Sequence, residues 1–379
     1  MTEGQQSSTP ATQTREAFHE LLDLLRDIDT RFLGPEWGNA ERVPEGHRYV
    51  TQLLLSGLEL FAEADLERPV FYRFVSPTKK FFGDNPDAIY YTAFIRPDRG
   101  YRIRGNTAGA VYTSLSIELG TNEGGFSQRT ALAISDKDLK VAADGSYEVI
   151  LSLEKRPGNW FKLDPEVGSI TTRHYFEQER PVAADPTKVI PLSIEPLDPL
   201  GPRPPADAAS IALGLRRVAT YLRSRTIDRP PFMQAGQVPS WVSIVPNQFN
   251  PPELPKGDVG FTLLDAAYAM APYYLNPDQA LVIEGRFPKC RFANVNLWNP
   301  FLQTYDYVTR QVSRNRKQTT LEPDGSFRMV VAHQNPGIPN WLDTEGRPMG
   351  IVYWRFLLPE EPIVPLKTEV VEFSKIAKR

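Results

Sequence analysis

"DGSYEVILSLEKRPGNW" occupies residues 144–160, and about 180 residues later the chain writes it again as "DGSFRMVVAHQNPGIPNW", residues 324–341. The match extends in both directions. Upstream, "RPDRGYRIRG" (96–105) lies over "NPDQALVIEG" (276–285), and "PDAIYYTA" (86–93) over "LDAAYAMA" (264–271). Downstream, Asn159-Trp160 meets Asn340-Trp341 and Arg173 of "TTRHYF" meets Arg355 of "VYWRFL", with one inserted residue at each step. The shared residues are turn formers and aromatic punctuation, in the same order at nearly the same spacing. A fixed long period of this kind is the mark of an internal duplication.

The repeated residues read as β structure. Asp-Gly between alternating runs signals a hairpin, because Gly accepts positive φ at little cost. "SYEVILSLE" and "SFRMVVAH" are rich in β-branched and aromatic residues, as strands are. "AVYTSLSIEL" (110–119), "CRFANVNLWN" (290–299), "GSITTRHYF" and "MGIVYWRFL" complete the set. Helical periodicity is confined to 14–32, 47–65 and 205–226; Phe18, Leu21, Leu22 and Leu25 form the stripe of the first, and Asp207 caps the third. The expected fold is mainly β with flanking helices: two tandem helix-plus-antiparallel-sandwich units of jelly-roll type. The predicted organisation is an N-terminal tail and helix (1–45), a first unit (46–197), a second unit (198–362) with a long Pro-rich loop at 245–258, and a C-terminal tail (363–379). Long ordered loops often lie over binding sites.

The composition narrows the function classes. With 379 residues, 41% hydrophobic and 23% charged, the chain has the make-up of a globular protein of two domains. A net charge of −3 argues against nucleic-acid binding, and the cationic run "RQVSRNRK" (310–317) reads as a solvated hairpin tip. No apolar run is long enough to span a membrane. The polar start lacks a signal-peptide pattern, and the lone cysteine, Cys290, excludes an internal disulfide, so the cytosol is the expected location.

"GDNPDAIYY", "PGNWFKLDP", "TTRHYF" and "LWNPFLQTYDY" resemble the recurring signatures of a large bacterial family of actinobacteria and proteobacteria, over roughly residues 70–360. Its C-terminal β-sandwich is known only as a domain of unknown function. The resemblance implies a sandwich for the second unit and implies no reaction.

Motifs for nucleotide loops, nucleophile elbows and metal pairs are absent, so no cofactor and no metal is expected. Cys290, between Lys289 and Arg291, reads as a packing position, and Asp136 and Asp138 as turn formers. His174 and His333 could meet only across an interface between the units. On the strands at 110–119 and 290–299, Leu115, Ile117, Val295 and Leu297 share a core face. The opposite face carries Tyr112, Ser114, Ser116 and Glu118 in one copy and Phe292, Asn294, Asn296 and Trp298 in the other. That mixture suits either solvent or a ligand wall. Arg173 and Arg355 recur among aromatics and read as salt-bridged or as stacked on Trp160 and Trp341, each Trp being expected to lie buried beside its closing strand. The candidate site is placed on the second unit: Phe292, Asn294, Asn296 and Trp298 for ligand contact, His333, Tyr353 and Arg355 for chemistry. The expected activity is recognition of a small, largely apolar organic molecule in a cleft between or within the units, with cofactor-free lyase, hydratase or isomerase chemistry if the protein is catalytic. The alternative is a binding or assembly module that presents exposed sandwich faces to a partner or to a second copy of itself.

Overall fold

The computed structural model of the chain describes residues 9–35, 40–229, 238–256 and 261–376. The strands of the first half are β1 (Tyr72–Arg73), β2 (Ala88–Phe94), β3 (Tyr101–Asn106), β4 (Tyr112–Leu119), β5 (Thr130–Ser135), β6 (Ser146–Ser152), β7 (Asn159–Lys162), β8 (Val167–Tyr175) and β9 (Leu192–Pro196). Those of the second are β10 (Ala266–Tyr274), β11 (Gln279–Gly285), β12 (Phe292–Trp298), β13 (Ser313–Asn315), β14 (Phe327–Ala332), β15 (Trp341–Asp343), β16 (Met349–Leu357) and β17 (Lys367–Glu372). They form four sheets, in the orders β1-β2-β8-β4-β5 and β7-β6-β3-β9, then β10-β16-β12-β13 and β15-β14-β11-β17. Apart from the added edge strand β1, the second pair repeats the first strand for strand. The duplication read from the sequence is a duplication of topology.

Each pair of sheets encloses its own core. Ile103, Leu115, Ile117 and Val149 fill the first, and Ile283, Val295, Leu297 and Val331 the second. The conserved turn chemistry is equivalent in detail. Oδ1 of Asp144 accepts from the amide and hydroxyl of Ser146 at 3.0 and 2.7 Å, and Oδ1 of Asp324 does so from Ser326 at 2.9 and 2.6 Å. Gly145 and Gly325 sit at φ 83° and 81°, a conformation that glycine takes without strain. These turns do not close a hairpin, however. β5 and β6, like β13 and β14, lie in different sheets, so the turn carries the chain from one layer to the other.

The Asn-Trp pairs are also structural, by a route the sequence did not disclose. Asn159 spans Lys140 N, Lys140 O and Glu148 O; Asn340 spans Thr320 N, Thr320 O and Arg328 O. Trp160 and Trp341 are only half-buried and lie beside β6 and β14, not beside the closing strands β8 and β16. The tail expected at 363–379 supplies β17, which pairs with β11 as β9 pairs with β3. The Pro-rich loop runs along the free edge of β10, where Glu253 exchanges both backbone hydrogen bonds with Tyr268; positions 257–258 lie outside the described residues.

Three helices, α1 (Pro10–Asp27), α2 (Val43–Gly57) and α3 (Ala208–Arg223), gather against one another and against both inner sheets. Asp207 caps α3 by accepting from the amide of Ser210 at 2.8 Å. The buried stripe of α1 is Ala17, Leu21 and Leu24, continued by Ile28; Phe18 is half-exposed, so the helix is rotated from the expected stripe. Among the described residues no helix is long and apolar enough to cross a membrane.

Candidate functional site

The aromatic-and-polar face of each inner sheet is turned against the other unit. Phe292, Asn294 and Asn296 have no exposed surface, and Trp298 is buried with them. Solvent therefore does not reach this face, and the polar groups on it must find partners inside the protein. The aspartate heading each first strand crosses the interface to provide them. Asp87 accepts from Nδ2 of Asn294 at 2.8 Å and of Asn315 at 3.0 Å, and Asp265 accepts from the Tyr112 hydroxyl at 2.8 and 2.9 Å. Trp298 donates its indole N–H to Asp84 O at 2.9 Å and stacks on Tyr353 at 4.1 Å. Burial pushes the Asp87 carboxyl up to about 7 despite its two amide partners.

The cationic run at 310–317 is engaged in ion pairs, one of them across the interface. Arg316 grips Glu177 of the first unit with two bonds of 2.6 and 2.7 Å, and Arg310 pairs with Asp343. The ends of the run, Arg310 and Lys317, face solvent, and Arg316 is half-buried. Asp136 pairs across the interface with Arg291 at 3.0 Å. Cys290 is buried, and burial pushes its thiol up to about 11, so it lacks the thiolate a nucleophile needs.

The seven expected site residues do not converge. Phe292, Asn294, Asn296 and Trp298 are interface packing, and Tyr353 stacks among them. His333 follows β14 in the outer sheet, bonded to Thr344 Oγ1 at 2.6 Å and bordering a separate surface cleft with Asp278 and Glu372. It does not meet His174, which packs against Tyr91 and Thr172 on the far side of β8. Arg355 alone among the seven lines a recess between the two inner sheets.

That recess joins the repeat to itself. Register places Tyr90, Arg173 and Ser114 in one row of the first sheet, and Tyr268, Arg355 and Asn294 in the equivalent row of the second. The two rows face the same space, so Arg173 and Arg355 line one recess with Tyr90, Tyr268, Tyr175 and Asp84. It holds about 450 Å³ counting its open mouth. Both arginines are 5% exposed. The duplication has made them equivalent in position and the surroundings have made them different. Arg173 is tied by Ser116 Oγ at 2.6 Å and Phe261 O at 2.7 Å. Arg355 has one long hydrogen bond to backbone, Nη2 to Gly83 O at 3.4 Å, and the Tyr353 hydroxyl nearby, while its buried Nε and Nη1 have no hydrogen-bond partner among the described residues. Burial disfavours the Arg355 cation, the four surrounding tyrosine oxygens favour it, and the balance lies on the charged side.

Two oxygens of the lining are equally unsatisfied: Asp84 Oδ2 and Thr171 Oγ1. Burial pushes the Asp84 carboxyl up, against the pull of Lys80. Burial likewise raises the Tyr90 and Tyr268 phenols, Tyr268 to about 12, so both stay neutral hydroxyls at physiological pH. The sequence signal for this site was the recurrence of Tyr and Arg at matching positions in both copies. Recurrence was read as a structural sign, because the folding of one repeat onto the other is not visible in a linear comparison.

No protein-family model matches the chain, and no curated protein does. Among solved structures, an uncharacterised protein from Burkholderia cenocepacia is similar over 97% of this chain and 100% of its own, with a TM-score of 0.81 and 27% sequence identity. A protein from Vibrio parahaemolyticus covers 86% of this chain and 98% of its own at a TM-score of 0.48 and 11% identity, too low to carry an argument. The chain thus shares its whole architecture, helices and both sandwiches, with a bacterial protein whose function is not assigned.

Proposed function

We propose that the protein binds a small organic anion with an apolar body in the recess between its two sandwiches, with Arg355 as the anchor. One observation carries this reading. A guanidinium buried among four tyrosines keeps two N–H edges without a partner, and leaving such donors unmade costs about 1–3 kcal/mol apiece. A planar carboxylate, or a phosphate or sulfonate edge, matches that fork in geometry and charge. Phe74, Phe81, Leu263 and the tyrosine rings supply the apolar contact for the rest of the molecule. Asp84, held in its neutral form more readily than an exposed aspartate, is the group placed to move a proton on the bound molecule.

Nothing favours the assembly reading by comparison. The mixed faces it would have presented to a partner are covered by each other. A cytosolic location, argued from the single cysteine, and membership of the bacterial family whose signatures the chain resembles belong to the same proposal.

The test is calorimetry on the intact protein with hexanoate, benzoate and a phosphonate of similar size, on the wild type and Arg355→Gln. Binding of at least one anion by the wild type, weakened about tenfold or more in the variant, is expected for loss of a charge-assisted pair. Neutral analogues bound as well as the anions, or equal binding by the variant, would overturn the assignment.

A further inference from the structure

A second pair of arginines packs on aromatic residues that border the recess. Of the described residues lining it, only Phe82, Gly83 and Phe261 are not buried, so the recess opens on that side. Phe126 closes the ring of aromatics, edge-on to Phe82 at 6.0 Å and to Phe261 at 5.0 Å. Over this ring lie two guanidiniums. Arg229 sits 4.0 Å from the Phe82 centroid and 4.3 Å from that of Phe126. Arg225 sits 3.8 Å from Tyr221, with Phe126 at 5.5 Å and Phe81 at 5.6 Å.

Neither cation has a carboxylate partner among the described residues. Arg225 spends Nη1 on the carbonyls of Gly124 and Tyr221, and its buried Nε has no partner among the described residues. Burial lowers both groups, Arg229 to about 10, and each Arg is acted on by tyrosines or by the other Arg, with no carboxylate acting on either among the described residues. Two like charges partly removed from water repel each other, and Arg225 disfavours the charged form of Arg229. Elsewhere this chain pairs its arginines generously, as at Arg217–Glu123 and Arg316–Glu177. Here it sets two against the aromatics that border the recess, with no acid paired to either among the described residues.

We propose that Arg229, supported by Arg225, receives a second anionic group of the same ligand, so that the recess is built for a dianion with a short apolar body. One end meets Arg355 at the floor, the other meets Arg229 at the rim, and the aromatic ring encloses the middle. Dicarboxylates, and carboxylates carrying a phosphate or sulfonate at the far end, share that chemistry. The inference rests on the reading of the recess as a small-anion site.

Matched pairs separate the two claims: adipate against hexanoate and terephthalate against benzoate, titrated into wild type, Arg229→Gln and Arg355→Gln. In the wild type at least one dianion should bind about tenfold tighter than its monoanion, the worth of one more charge-assisted contact. Arg229→Gln should erase that advantage and leave the monoanion within about twofold of wild type, since the floor is intact. Arg355→Gln should weaken both members of a pair. A merely structural Arg229 would weaken both members equally or neither, and either result overturns the inference. Monoanions bound as tightly as dianions by the wild type would overturn it too, while leaving the floor site standing. Wild-type protein that binds no member of either pair would sink both.

Discussion

Arg355 holds a position that folding alone would not choose. A buried cation without a paired carboxylate is costly, and apolar replacement of buried ionic groups is often neutral or stabilising. Arg355→Met should therefore raise the unfolding free energy of the ligand-free protein, by about 1–3 kcal/mol, while abolishing anion binding. Urea denaturation measures the first and calorimetry the second; a destabilised variant would make Arg355 a structural residue. Two other buried groups set opposite pH dependences. Asp87 titrates near 7 when folded, against an ordinary aspartate value of 3.8. Its contribution is thus fully present below about 4 and is lost as pH rises through about 7. His174 is pushed by burial from 6.5 to about 3. Its contribution is present above about 6.5 and is lost as pH falls toward 3. Between about pH 4 and 6.5 the two slopes, each up to about 1.4 kcal/mol per pH unit, oppose one another. Asp87→Asn should make stability climb more steeply with pH in that window, and His174→Asn should make it fall more steeply. Denaturation midpoints at pH 4.5, 5.5 and 6.5 would show it. Parallel curves for the three proteins would exclude this account.

The Asn-Trp corners show how one element can be copied and still differ. Each asparagine makes three hydrogen bonds to backbone, so alanine at either place should cost about 1–3 kcal/mol. Asn340 is buried and sits at φ 60°, whereas Asn159 is half-buried and is not left-handed. Alanine tolerates the left-handed region poorly, by roughly 1–2 kcal/mol. Asn340→Ala should therefore be the more damaging of the pair by about that amount, and Asn340→Gly should recover part of the difference. Denaturation of the three variants tests the order. Strand alternation, turn residues and helix caps were legible because they are local. What could not be read was which sheet a strand joined: β5 and β6 are neighbours in sequence and lie in opposite layers. The rotation of α1 was equally hidden, since Phe18 and Leu21 share a stripe with Ala17 and Leu24 until packing against α3 selects one side.

Across the whole molecule the two sandwiches share a single large core made of helices and both inner sheets. The interface also holds Asp87, Asp265, Arg316 and their partners, so neither half can present its inner face to water without exposing aromatic rings and stranding buried polar groups. Heating should accordingly unfold the intact chain in one calorimetric transition, with van't Hoff and calorimetric enthalpies in agreement. Two resolved transitions would mean the halves are independent domains. The full-length likeness to the Burkholderia protein fits a unit of this size.

The repeat, the strand-rich class and the turn chemistry followed from residue order, because hydrogen-bonding turns and period-two alternation involve neighbours in the chain. Even the two arginines and two tyrosines of the recess were marked, by recurring at matching places. Their joint role was decided by the docking of one repeat on the other. That docking buried a face whose composition suited solvent equally well, turned four expected ligand contacts into packing, and brought Arg173 and Arg355 into one space from positions about 180 residues apart. Burial and charge pairing belong to three-dimensional neighbourhoods, and a linear pattern records which side of a strand a residue faces without recording what lies opposite.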